Sequence, residues 1–345
     1  MTLKELARLL GLSATTVSRA LNGYPEVGAE TRARVLEAAA RHGYEPNVTA
    51  RRLATGRALA IGHVIPLAEH QMINPIFADF IAGAGEVYSA AGYDMLLSVV
   101  PEPEEPSAYA QMAAQNKVDG VIVHAPKVHD VRVEMLRRLG LPFVMHGRDG
   151  REAPDYPFLD IDNRRAFRRA TEHLLGLGHR RIALVNGLEA MSFAHRRRHG
   201  YLEALRAAGL APDPQLMRTR EMREPYGHAA AAKMLRMPDP PTAFLTASII
   251  VAFGVLRAVR EAGLEPGRDV SIATHDDVLS HFSLDGAPPV FTATRSSIRA
   301  AGRRCAEILL DLIAAPHGPQ VQELWQAELI PGPSTGPALR ENQHA

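Results

Sequence analysis

One cysteine stands in 345 residues, Cys305, so no intramolecular disulfide can form, and such sparing use fits a reducing compartment. No apolar run reaches membrane-spanning length, which excludes a membrane partner of the helical kind. The charged, Gly-interrupted start, with Lys4, Glu5 and Arg8, lacks the apolar stretch of a secretory signal, and a soluble cytoplasmic protein is expected. No nucleophile elbow, phosphate loop or catalytic-cysteine pattern appears. Asp276 and Asp277 are adjacent in one loop rather than set across a cleft as paired carboxylates. The expectation is therefore no enzyme and no cofactor. Net charge is nearly absent as well, at +1, but its distribution is uneven: residues 1–57 carry nine Lys/Arg against five Asp/Glu, and the remainder 30 against 33. A small cationic module on a neutral body suits local contact with a polyanion.

What is present begins with three short amphipathic segments. "TLKELARLL" sets Leu3, Leu6, Ala7 and Leu10 at helical spacing, and Gly11 permits a tight turn. A second helix from near Ser13, "ATTVSRALN", is expected to bury Val17 and Leu21 and to turn Ala14, Thr15, Ser18 and Arg19 outward. "AETRARVLEAAARHG" reads as a third helix ended by Gly43. Three such helices form a helix-turn-helix unit, whose second helix fits the major groove of DNA. Arg19 suits a guanine edge, Thr15 a base edge and Ala14 a thymine methyl, with Thr16 beside them. Ser18 and Asn22 suit phosphates. Any small helical bundle shows this spacing, but the outward face here lacks the Glu/Lys pairs of an ordinary solvated helix.

The next stretch, "NVTARRLATG" at 47–56, is helix-like, with Asn47 able to cap its start and Gly56 to end it, yet it is too short to persist alone. It sets Arg51 and Arg52 beside Leu53. A helix in the minor groove would insert Leu53 between base pairs while the arginines neutralise phosphates, with Asn47 and Ala50 completing the contact set.

Residues 2–62, including "TVSRALN" and "YEPNVTARRL", resemble the DNA-binding end of the lactose-repressor (LacI/GalR) family of bacterial transcription regulators. The resemblance implies a homodimer, associated with the nucleoid, whose paired hinge helices fold on a near-palindromic operator with Leu53 as the wedge. From residue 59 onward, short apolar runs ("LAIGHVI", "DMLLSVV", "GVIVH", "PFVMH", then "RRIALVNG", "TAFLT", "VSIATHDD") alternate with amphipathic helices near 77–91, 107–116, 130–139, 163–177, 195–208, 226–236 and 248–262. The expected fold class is thus an all-α helix-turn-helix module (1–46) and hinge helix (47–57), then an α/β core of two lobes (58–338). The resemblance, which extends over nearly the whole chain, makes that core periplasmic-binding-protein-like. The first lobe is expected to take 58–160 and 292–320, the second 161–291 and 321–338.

Ligands of open parallel sheets bind beyond the carboxyl ends of strands, and in two-lobed clamps they bind between the lobes. That rule selects His63, His124, His146, Asn186, Thr246 and Asp276, groups suited to a polyhydroxylated molecule. The resemblance implies that Arg197, in "HRRRHGY", grips ligand hydroxyls and that Asp276, in "ATHDDV", binds effector. Asn74 in "NPIF" offers a polar contact, and Phe77 and Phe193 offer ring faces for stacking. Many relatives carry an Asn-Asp pair where this chain has Ser248 and Ile249, so one effector contact is shortened or lost. "HGR" at 146–148 together with "NPIF" is similar to the α-glucoside-regulator branch.

Each residue has a plainer role open to it: the arginine run as a solvated helix face, Asp276 as a turn cap, the two phenylalanines as core. His195 and His199, four apart, have zinc-binding spacing, but the intervening arginines repel a cation, and no metal is expected. "GAGEVYS" imitates a dinucleotide fingerprint but lies within a helix and reads as helix packing. Trp325 is expected in a core strand. The tail after residue 339 lacks an apolar heptad, which favours a dimer over a tetramer. The expected function is a repressor of a sugar-utilisation operon released by a carbohydrate. The alternatives are a sugar-binding protein with no regulatory role and a corepressor-type regulator.

Overall fold

The structure, a computed structural model, describes residues 1–21, 23–44, 56–67, 74–280 and 289–339. The chain divides into two compact units, Met1–Leu59 and Ala60–Ala345. Asn22, Asn47, Ala50, Arg51, Arg52 and Leu53, and with them most of the expected hinge, lie outside the described residues.

In the first unit, α1 (Leu3–Leu10) starts on a capping box: Glu5 N donates to Thr2 Oγ1 at 3.3 Å, and Thr2 N donates to Glu5 Oε2 at 2.7 Å. Gly11, at φ +66°, supplies the left-handed turn that ends it. α2 (Ala14–Leu21) is capped by Ser13, whose Oγ accepts from Thr16 N at 3.0 Å, and α3 spans Ala29–Arg41. Leu6, Ala7, Val17, Ala20 and Val35 meet in one small core. Ala20, three residues from Val17 and on its face, takes the deep position expected of Leu21, which is half-buried. Arg32 fastens the loop between α2 and α3 by donating to Tyr24 O at 2.6 Å.

The second unit runs β1 (Ala60–Leu67), α4 (Pro75–Ala91), β2 (Asp94–Pro101), α5 (Glu105–Ala114), β3 (Gly120–His124), α6 (Arg132–Arg138), β4 (Phe143–His146) and β5 (Phe158–Ile161). It continues with α7 (Asn163–Gly176), β6 (Ile182–Asn186), α8 (Ser192–Ala207), β7 (Met217–Thr219), α9 (Glu224–Met234), β8 (Ala243–Thr246), α10 (Ile249–Glu261), β9 (Ser271–Asp276), β10 (Thr292–Arg295), α11 (Ile298–Ala314), β11 (Gln322–Trp325) and β12 (Glu328–Ile330). Among the described residues two sheets result, in the orders β11-β5-β4-β3-β1-β2 and β12-β10-β9-β8-β6-β7. Central strands such as β3 and β8 are buried along their whole length, as sheets covered on both faces by helices require.

The lobe boundaries differ from expectation in the last third of the chain. Thr292–Arg295 pairs with Ala273–Asp276 of β9, in the second sheet rather than the first. Gln322–Trp325 pairs with Phe158–Ile161 of β5, in the first sheet rather than the second. The reason is edge pairing: β9 and β5 each present a row of unpaired N–H and C=O groups, and β10 and β11 satisfy them. The chain therefore crosses between lobes after β5, after β10 and after β11. Trp325 lies in a strand but is half-buried, its Nε1 donating to Glu323 Oε2 at 3.0 Å.

The glycine-rich stretch at 83–89 is helix packing. A Cβ on Gly83 would collide with the carbonyl of Arg299, and one on Gly302 with the carbonyl of Phe80, so α4 and α11 cross at backbone contact. No helix of the described residues is long and apolar enough to cross a membrane.

Candidate functional site

Among the described residues, hydrogen bonds join segments that follow the carboxyl ends of the strands in one sheet to those of the other. Ser192 N donates to Pro126 O at 2.9 Å and Val128 N to Ala190 O at 3.0 Å. Arg196 donates to the Asp149 carbonyl at 2.5 Å. Ser280 donates through its backbone N (2.7 Å) and Oγ (2.6 Å) to the buried carboxylate of Asp79 in α4. The cleft is thus bounded by segments following β3, β4, β6 and β9.

The first lobe's wall is aromatic and imidazole-rich. His124, at the end of β3, lies edge-on to Phe77 (5.2 Å between centroids) and Phe80 (4.8 Å), with His146 at 6.1 Å. His63 is not at a strand end: β1 continues to Leu67, and the ring is fully buried behind His124, its Nδ1 2.9 Å from His124 Nε2. Tyr88, from α4, reaches the other His63 nitrogen at 3.2 Å. Burial lowers the pKa of His63 to about 3 and of His146 to about 4, and holds His124 well below the ordinary range. All three are neutral at physiological pH. Asn74 caps α4, its Oδ1 accepting from Phe77 N at 3.0 Å.

The second wall is charged. Arg197, buried on α8, donates to Asn163 Oδ1 at 2.7 Å and to the Ala247 carbonyl, and lies over the rings of Phe193 (5.0 Å) and Phe167 (5.1 Å). It is no solvated helix face. Burial lowers its pKa to about 10 against the pull of Asp277 and Asp160, so it stays charged. Asp276 Oδ2 accepts from Arg295 at 2.9 Å and Oδ1 from Val278 N at 2.8 Å, so both oxygens already have partners. Its neighbour Asp277 has His275 Nε2 at 3.6 Å from its Oδ1 and is stabilised by the charge of Arg197. Burial acts to raise the Asp277 pKa, but the interaction with His275 and the charge of Arg197 more than offset it and hold the group below the ordinary carboxylate range. The next residue, Val278, has φ +54°, and Ala125, directly after His124, has φ +43°. Backbone strain therefore sits beside the site in both lobes.

Other expected residues serve the frame. Ser248 caps α10, its Oγ accepting from Val251 N at 3.4 Å, and Ile249 beside it packs into the core. Thr246 Oγ1 donates to Thr274 Oγ1 at 2.7 Å, and Asn186 Nδ2 to Ala194 O at 2.9 Å. Residues not anticipated are Asp277, Arg196, Asp79 with Ser280, and the Arg148–Asp160 pair at 2.8 Å, which Asn163 joins to Arg197. The signals available were faint: "HDD" offers two acids for one place, and "HRRRH" three arginines.

Helix-turn-helix and two-lobed cleft in one chain define a DNA-binding regulator with a ligand-binding core. Residues 2–47 match the family model described as bacterial regulatory proteins, lacI family, and residues 171–335 match a periplasmic binding protein-like domain. The chain is 46% identical to the HTH-type transcriptional regulator AglR of Rhizobium meliloti (strain 1021), over 97% of its length and 94% of the relative's. It is 33% identical to the HTH-type transcriptional regulator RafR of Escherichia coli, over 96% and 98%. Among solved structures, a CelR–cellobiose complex aligns at TM-score 0.70 and 29% identity, over 97% of this chain and 99% of that one. The lac repressor dimer bound to operator and the anti-inducer ONPF aligns at TM-score 0.79 and 25% identity, with the same coverage. The protein belongs to the LacI family and is a helix-turn-helix transcriptional regulator.

Proposed function

We propose that this regulator represses a sugar-utilisation operon as a cytoplasmic homodimer and leaves its operator when a small neutral carbohydrate, of the α-glucoside class, enters the cleft. The observation that carries this reading is the cleft's chemistry. Neutral imidazoles and ring faces on one wall oppose one arginine and one carboxylate of opposite charge on the other, which suits hydroxyls and disfavours a net charge on the ligand. His124, His146, Phe77, Phe193, Arg197 and Asp277 are the contact groups we assign, with Asn74 and Asp276 shaping the rim and Ser248 holding the start of α10 behind it. Ala14, Thr15, Thr16, Ser18 and Arg19 read DNA. Closure on the sugar opposes operator binding through a linkage of about 1 to 3 kcal/mol. No catalytic step is assigned.

The relative solved with cellobiose supports a disaccharide-sized cleft, and the relative solved on its operator supports the DNA-binding state. Fluorescence anisotropy on the cognate promoter fragment, titrated with maltose, sucrose, trehalose or cellobiose, tests the reading. Release by one of the α-linked sugars is expected. Tighter DNA binding would mean a corepressor, no specific DNA binding would mean a sugar-binding protein alone, and indifference to all four would overturn the effector class.

A further inference from the structure

Behind the cleft, Tyr88, His63 and His124 form a single file. The Tyr88 hydroxyl is 3.2 Å from His63 Nε2, and His63 Nδ1 is 2.9 Å from His124 Nε2, with the two imidazole planes inclined by 22°. Tyr88 and His63 are almost wholly buried, and His124 is 4% exposed. We propose that Tyr88 and His63 are positioning residues that fix which proton His124 carries, so that His124 meets a ligand as a hydrogen-bond donor through Nδ1. This rests on the assignment of His124 to the effector site made above.

The argument is a proton count. A neutral imidazole has one N–H and one bare nitrogen, so the contact between the two rings needs one donor and one acceptor. Both histidines are neutral in this site, so they share two N–H protons over four nitrogens. Two orders are possible along the file. In the first, Tyr88 O–H donates to His63 Nε2, His63 Nδ1–H donates to His124 Nε2, and His124 keeps its proton on Nδ1. In the second, every arrow reverses, His124 Nδ1 is bare, and Tyr88 becomes an acceptor.

Among the described residues, His63 is the hydrogen-bond partner the structure gives the Tyr88 hydroxyl. The reversed order would leave a buried O–H without an acceptor, a cost the first order avoids. A phenolic O–H facing an imidazole nitrogen also joins the better donor to the better base. The first order therefore prevails, and His124 Nδ1, which has no hydrogen-bond partner among the described residues, is an N–H that a ligand can meet. A sugar hydroxyl or ring oxygen there is met as an acceptor, which selects orientation by a group that no ligand touches.

The full-length protein, labelled with ¹⁵N-histidine, reports ring tautomers directly by NMR without any ligand, and His63→Asn and His124→Asn variants assign the two rings. In the wild type, protons are expected on Nδ1 of both His63 and His124. Tyr88→Phe is expected to release that bias, giving His124 mixed or Nε2–H character while the melting temperature reports any general loosening separately. The sugar that releases DNA among maltose, sucrose, trehalose and cellobiose should then bind Tyr88→Phe roughly tenfold more weakly, with unaltered affinity for the promoter fragment. An Nε2–H His124 in the wild type, or a Tyr88→Phe spectrum identical to wild type, overturns the relay. If instead His124→Ala binds the sugar as tightly as wild type, the relay stands as proton order and it is the effector-site assignment that fails.

Discussion

The first lobe builds its side of the cleft from His124, His146, Phe77 and Phe80, with His63 and Tyr88 behind, and burial keeps every imidazole neutral. The second lobe builds its side from Arg197, Asp277 and His275; burial lowers the His275 pKa as well, while Arg197 and Asp277 stay ionised, each favoured by the other's opposite charge. Both lobes have the same strand order and differ at one edge, where β11 runs parallel to β5 but β12 antiparallel to β10. The contrast shows that the topology sets only where side chains converge. Whether a polar wall is neutral or charged is decided by which partners each group meets once water is removed.

The strongest test of this contrast removes a charge from the second wall. Arg197→Ala leaves Asn163 Oδ1 and the Ala247 carbonyl without their donor and deprives buried Asp277 of a cation. The expected loss is about 3 kcal/mol of core stability in a urea titration, together with loss of sugar response at unchanged promoter affinity. Arg197→Lys, with the charge but not the planar fork, should recover part of the stability and little of the response. A Arg197→Ala protein as stable as wild type would mean that the second wall is not held by paired charge.

The first wall answers to pH instead. The folded pKa values of His63 and His146, about 3 and about 4, lie below the unfolded value near 6.5. Between those limits the unfolded chain binds protons that the folded core refuses. Their contribution is therefore complete above pH 6.5 and is lost as pH falls toward 4. Unfolding followed by the fluorescence of Trp325, the single tryptophan, should show roughly 2 kcal/mol less stability per histidine at pH 5 than at pH 7. His146→Gln should flatten the slope by about that amount. Asp277, with a lowered pKa, contributes above the ordinary carboxylate range and loses its part only at more acid pH, so it leaves this window unchanged. An unaltered slope in the histidine variant would show that the first wall is not kept neutral by burial.

Much of this architecture was legible beforehand because periodicity reports local burial. Leu3, Leu6 and Leu10 announce α1, and runs such as "GVIVH" and "TAFLT" announce strands buried on both faces. Crossings between lobes were not legible, since "TATR" and "QELW" carry no mark of which sheet edge stands open to receive them. At the site, strand ends located His124, His146 and Asp276, yet the His63–His124 contact joins residues 61 apart and depends on β1 and β3 being neighbours. Ser248 illustrates the converse: its hydroxyl suits a ligand, but the start of α10 claims it as a cap.

The finest distinction concerns the two adjacent acids. Resemblance to the family points to Asp276, whereas geometry gives that carboxylate to Arg295 and Val278 N, and leaves Asp277, 3.6 Å from His275 Nε2, as the acid that the charge of Arg197 stabilises. If the second wall offers ligands one charge of each sign, its negative member is Asp277. Asp277→Asn should weaken binding of the releasing sugar about tenfold, near 1.4 kcal/mol, because an amide accepts fewer hydroxyls and no longer offsets Arg197. Asp276→Asn should change that affinity less than about threefold while lowering core stability through the Arg295 contact. Isothermal titration and urea unfolding of the two variants separate affinity from stability, and the opposite ranking of affinities would move the ligand's anchor back to Asp276 and recast Asp277 as a group that only steadies Arg197.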